Sequence, residues 1–175
     1  MLSHPFDKPQ WGHLSKDGVA KPVYRAFQLL NGAGTHRLPV DAKGSAQLHA
    51  LATVASPQER AQLQLYISNF EAIHTGRPCT AKNLTVQIVG ANTANTAAKL
   101  VRIDSRHSNP LSAWQNQGEP WYMTPAQVAS LHKSSELVPQ AVAWEHAGGD
   151  AMQTTLQLEP NSCAFLNLTF SARAK

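Results

Sequence analysis

Gln62-Leu63-Gln64-Leu65-Tyr66-Ile67 alternates polar and apolar side chains with a period close to two. Successive side chains of a strand point to opposite faces, so the pattern predicts a strand with one face buried and one face in water. Thr155-Leu156-Gln157-Leu158 repeats it. Working outward, these two stretches extend to candidate strands Ala61–Asn69 and Met152–Leu158. Six more segments read the same way: Arg37–Val40, Gln47–Ala55, Leu84–Val89, Ala98–Asp104, Gln140–Glu145 and Ala164–Phe170. Gly, Pro, Asn and Asp punctuate the gaps. Short strands at fairly even spacing predict a mainly β chain, an antiparallel immunoglobulin-like β-sandwich.

Two regions break the pattern. Before Thr35, a short strand candidate near Trp11–Ser15 meets the turn signal Lys16-Asp17-Gly18. Lys21-Pro22 then opens a helix, with proline suited to a first helical turn. Val23, Phe27 and Leu30 form its apolar face, with Tyr24 and Ala26 beside them. Asn31-Gly32-Ala33-Gly34 is expected to close it through a left-handed cap. The second break is an excursion of about 30 residues, long for a plain sandwich connection. There Asn109–Gln115 reads as a short helix closed by Gly118. Thr124-Pro125-Ala126-Gln127 reads as the start of another: threonine cap, proline first, glutamine at the third position.

The composition is that of a folded domain: 42% hydrophobic and 15% charged residues over 175 positions. The net charge of +4 is thinly spread. The densest basic cluster, Arg102…Arg106-His107, is broken by Asp104, so no nucleic-acid partner is indicated. No stretch reaches the ~20 apolar residues of a membrane span, and Met1–Pro9 has no signal-peptide core. Membrane partners are not expected, and the compartment stays open. Met1–Pro9 also lacks a leading strand or helix cap, which predicts that the chain begins inside a larger fold. Cys79 and Cys163 each fall near a predicted strand, as a pair or as two free thiols. The eight histidines show no metal-ligand spacing, and neither a metal nor a cofactor is expected.

Two segments carry a family resemblance. Trp11-Gly12-His13-Leu14-Ser15-Lys16-Asp17-Gly18 running into Lys21-Pro22-Val23-Tyr24-Arg25-Ala26-Phe27 resembles the last βα unit of the (β/α)₈ barrel of glycoside hydrolase family 39, the β-xylosidases and α-L-iduronidases. Arg102-Ile103-Asp104…His107…Asn109-Pro110…Trp114…Gly118-Glu119-Pro120, leading into Thr124-Pro125, resembles that family's C-terminal sandwich and is the more specific match. The resemblance implies residues 1–34 as a remnant of the eighth βα unit and residues 35–175 as the C-terminal sandwich. It also implies the catalytic barrel of the same parent protein as the natural partner.

Retaining glycosidases use two carboxyl groups about 5–5.5 Å apart. In this family both look to be glutamates on earlier barrel strands, and no segment here resembles either motif. A barrel takes about 250 residues, more than the whole chain. No catalytic residue is therefore assigned. Glu59, Glu71, Glu136 and Glu159 read as solvated surface groups. Glu119, flanked by aromatics, is the best outlier and reads as a loop carboxylate.

Trp11, with Phe6 and His4, would lie at the end of the eighth strand, where barrel active sites form, and is a candidate sugar-subsite residue of an intact parent. The family usually shows a Gly-rich aromatic segment there; this chain has Asp7-Lys8-Pro9-Gln10. Trp121 and Tyr122 are a candidate sugar-stacking surface, or else anchors for the return of the excursion. Trp114 is expected to plug the core beneath it. His107, Asp104 and Asn109 are expected to pin the excursion by side-chain hydrogen bonds. Asn83-Leu84-Thr85 and Asn167-Leu168-Thr169 match the glycosylation pattern but fall in or beside strands.

Three functions remain on the sequence alone. The first is a non-catalytic accessory sandwich of a retaining, β-xylosidase-like hydrolase. The second is a stand-alone carbohydrate-binding module using Trp121 and Tyr122. The third, a generic immunoglobulin-like interaction domain, explains neither the Lys-Pro helix nor the excursion.

Overall fold

A computed structural model describes residues 12–55, 62–90 and 97–170. The chain is mainly β, with antiparallel sheets and few helices. It divides into two compact units. One comprises residues 1–31 and 102–138, the other residues 32–101 and 139–175.

The second unit holds β1 (His36–Leu38), β2 (Leu48–Val54), β3 (Gln62–Asn69), β4 (Lys82–Val89) and β5 (Ala97–Ile103, whose last two residues belong to the first unit). It also holds β6 (Gln140–Ala141), β7 (Glu145–His146), β8 (Ala151–Leu158) and β9 (Ser162–Thr169). They form a six-stranded sheet, ordered β1-β2-β3-β9-β5-β6, and a three-stranded sheet, ordered β4-β8-β7. The alternation predicted around Gln62–Ile67 sets the register. Leu63, Leu65 and Ile67 on β3 stand opposite Leu168, Leu166 and Ala164 on β9. All six are buried in one hydrophobic cluster with Val86, Met152, Leu156 and Leu158 of the other sheet. Both sheets thus bury one face in a common core.

One predicted strand is corrected. Gln140–Glu145 does not run as a single strand: β6 pairs with β5 in the larger sheet, and β7 with β8 in the smaller. Between them Val142 and Trp144 turn onto the core, and the Ala143 carbonyl accepts a 2.9 Å hydrogen bond from Thr154 Oγ1. A segment that serves two sheets has to leave the first ladder to join the second.

Gly34 is also used differently from expectation. It takes no left-handed cap; it sits hard against β2. A Cβ there would lie 2.3 Å from the Val54 carbonyl carbon and oxygen. The buried Gln64 side chain accepts a 2.6 Å bond from Gly34 N and donates one of 2.6 Å to Gly32 O, which clamps this stretch to the sheet.

The first unit holds α1 (Pro22–Asn31), α2 (Leu111–Asn116) and α3 (Pro125–Ser134). The expected capping box is present: Gln127 N donates to Thr124 Oγ1, and Thr124 N donates to the Gln127 side chain. Trp114, 1% exposed, forms this unit's core with Val19 and Leu131, as the sequence suggested, and its indole donates to the Pro120 carbonyl at 3.2 Å. The described part of the Trp11–Ser15 strand candidate is a single bridge, Leu14 to Ala20. Ser15 N donates to the Val19 carbonyl and Lys21 N to the His13 carbonyl, and Ser15 Oγ holds the turn between them by accepting from Asp17 N and Val19 N.

Two substitutions probe the two units separately. Gly34→Ala should lower the free energy of unfolding by more than about 2 kcal/mol, because backbone must move to admit the methyl group. Trp114→Ala should cost about 3–5 kcal/mol. Urea unfolding followed by far-ultraviolet circular dichroism measures both, and wild-type stability in either variant would contradict the packing described.

Candidate functional site

The first unit carries most of the residues singled out by the sequence. Asp104, 7% exposed, sits at the root of the excursion. Its Oδ1 accepts from the backbone N–H of Arg106 at 2.7 Å and of His107 at 2.8 Å, and the His107 ring lies 2.9 Å from Oδ2. Asn109 Nδ2 donates to the Asp104 carbonyl at 3.1 Å. The expected Asp104–His107–Asn109 cluster therefore exists, as a knot that shapes the loop. Burial alone would raise the Asp104 carboxyl; the N–H donors of Arg106 and His107 outweigh it and hold the group below the usual aspartate range.

Trp121 and Tyr122 come together with a residue the sequence did not flag. Lys16 Nζ donates to the Trp121 carbonyl at 2.6 Å and stands 5.0 Å from the Tyr122 ring centre and 6.0 Å from that of Trp121. Tyr122 is 79% exposed. Nothing local in Ser15-Lys16-Asp17 announces this contact across more than a hundred residues. Glu119 is exposed on the neighbouring turn with φ of 54°. His4, Phe6 and Trp11 lie outside the described residues, as does Glu59.

Arg25 ties α1 to the end of α3. Arg25 Nε donates to the Ser135 carbonyl at 2.7 Å, and its other nitrogen to Ser135 Oγ at 3.1 Å, at the C-terminus of α3. A cation there also meets the negative end of the helix dipole. Among the described residues nothing buries its apolar face: Val23, Phe27 and Leu30 are 43%, 55% and 42% exposed, Tyr24 is 40% exposed, and no α1 residue is buried. Among the described residues the Phe27 ring packs on that of His13, with centroids 5.2 Å apart.

In the second unit Glu71 is bound to Gln47 Nε2 at 2.9 Å and to Arg77 at 3.1 Å. The Gln47 amide, with Arg77 adding to it, holds its carboxyl below the usual glutamate range. Beside it the fully buried Asn69 donates to the Thr80 and Glu159 carbonyls. A general acid needs a carboxyl pushed upward. Glu71 and Asp104 are displaced the other way, by donors that fix loops. Cys79 and Cys163 are free thiols. Among the described residues no group of three or more His, Cys, Asp or Glu is placed to hold a metal, and no helix is long and apolar enough to cross a membrane.

With this geometry in place, comparison with known proteins gives the class. The profile of glycosyl hydrolases family 39 matches residues 4–151, and the chain belongs to that family. A β-xylosidase of Caldicellulosiruptor saccharolyticus is 28% identical over 152 residues, 87% of this chain but 30% of the relative. Among solved structures, the family 39 enzyme from Xanthomonas axonopodis pv. citri aligns with a TM-score of 0.67 at 18% identity, covering 92% of this chain and 32% of that one. A monomeric β-xylosidase from Caulobacter crescentus CB15 aligns with a TM-score of 0.68 at 18% identity, covering 98% and 35%. The chain thus spans about a third of the relatives it matches.

The Asp104 knot predicts a pH dependence. A carboxyl whose folded pKa is lowered stabilises the fold above its unfolded pKa, and the contribution is lost as pH falls through the lower, folded value. Urea midpoints should therefore fall on acidification below the usual aspartate range. Asp104→Ala should flatten that part of the profile and cost about 1.5–3 kcal/mol at neutral pH. An unchanged profile in the variant would contradict the assignment.

Proposed function

We propose that this chain is the non-catalytic C-terminal part of a retaining, β-xylosidase-like glycoside hydrolase. In this reading the two sheets form an immunoglobulin-like sandwich with a helical excursion. Residues 1–34 are the remnant of the eighth βα unit, and the partner is the catalytic barrel of the same parent protein. The observation that carries it is the bare apolar face of α1. Amphipathic helices of globular proteins bury such a stripe, and a row of Val23, Phe27 and Leu30 left in water fits a helix whose neighbours lie in the remaining two-thirds of the relatives. The Arg25–Ser135 tie would then hold the last βα unit in place against the excursion, so that the loops above it keep their geometry. His4, Phe6 and Trp11 would line a sugar subsite only in the intact parent.

A second reading, a stand-alone carbohydrate-binding module, is favoured by one observation: the open Tyr122 ring beside Trp121, held by Lys16. Calorimetry with xylo-oligosaccharides separates the two. Binding lost in Trp121→Ala and Tyr122→Ala supports the module, and no binding supports the accessory role.

The purified chain should release no nitrophenol from aryl β-xylosides above the uncatalysed rate, since in this reading both catalytic carboxyls lie in the part of the relatives that the chain does not span. Enzyme-like turnover would refute the proposal. Phe27→Asp should cost no more than about 1.5 kcal/mol, the size of one aromatic contact, because the half-exposed ring packs on His13 and little else among the described residues. Unfolding of that variant would show that the face belongs to this chain's own core.

A further inference from the structure

We draw no further inference here: the strongest candidate, the surface patch of Trp121 and Tyr122 around Lys16 in the first unit, belongs to the site already described, and nothing in the structure shows what covers it.

Discussion

The β3–β9 ladder is the constraint on which the second unit depends. Eight residues of each strand pair in strict register, and a slip of one residue would turn one strand's apolar set away from the core, either Leu63, Leu65 and Ile67 or Leu166 and Leu168. The shared core with Met152, Leu156 and Leu158 exists only in that register. Gln64, on the other face of β3, is then available as the buried clamp that ties Gly32 and Gly34 to the sheet.

The first unit rests on different physics. Its described core cluster is small, built on Val19, Trp114 and Leu131. Much of its shape comes from satisfied polar groups: the Asp104 knot, the Thr124 capping box, Ser15 in its turn and Arg25 on the end of α3. Such bonds contribute about 1 kcal/mol each but fix geometry closely, which suits a unit whose proposed task is to hold a neighbour in position.

Strands with period-two alternation were legible in the sequence because their signal is local, and so was the Thr124 cap. The Gln140–Glu145 segment was not, because its break is imposed by two sheets competing for one stretch of chain. Gly34 departs from expectation for a related reason: glycine beside a helix end suggests a left-handed cap, whereas here it serves close approach to Val54, a residue twenty positions away. The Asp104–His107–Asn109 cluster was readable from short spacing, but Lys16 beside Tyr122 depends on the fold bringing distant segments together. The family was readable from the Arg102–Pro120 pattern, and the chain spans about a third of the relatives that share it.

The reading turns on chemistry that a covalent probe reports. A retaining glycosidase captures a 2-deoxy-2-fluoroglycosyl fluoride as a stable ester on its nucleophilic carboxylate. Intact-mass measurement of this chain after incubation with the xylosyl and iduronosyl probes should show the unmodified mass alone. One fluoroglycosyl group attached to an aspartate or glutamate of these 175 residues would contradict the account.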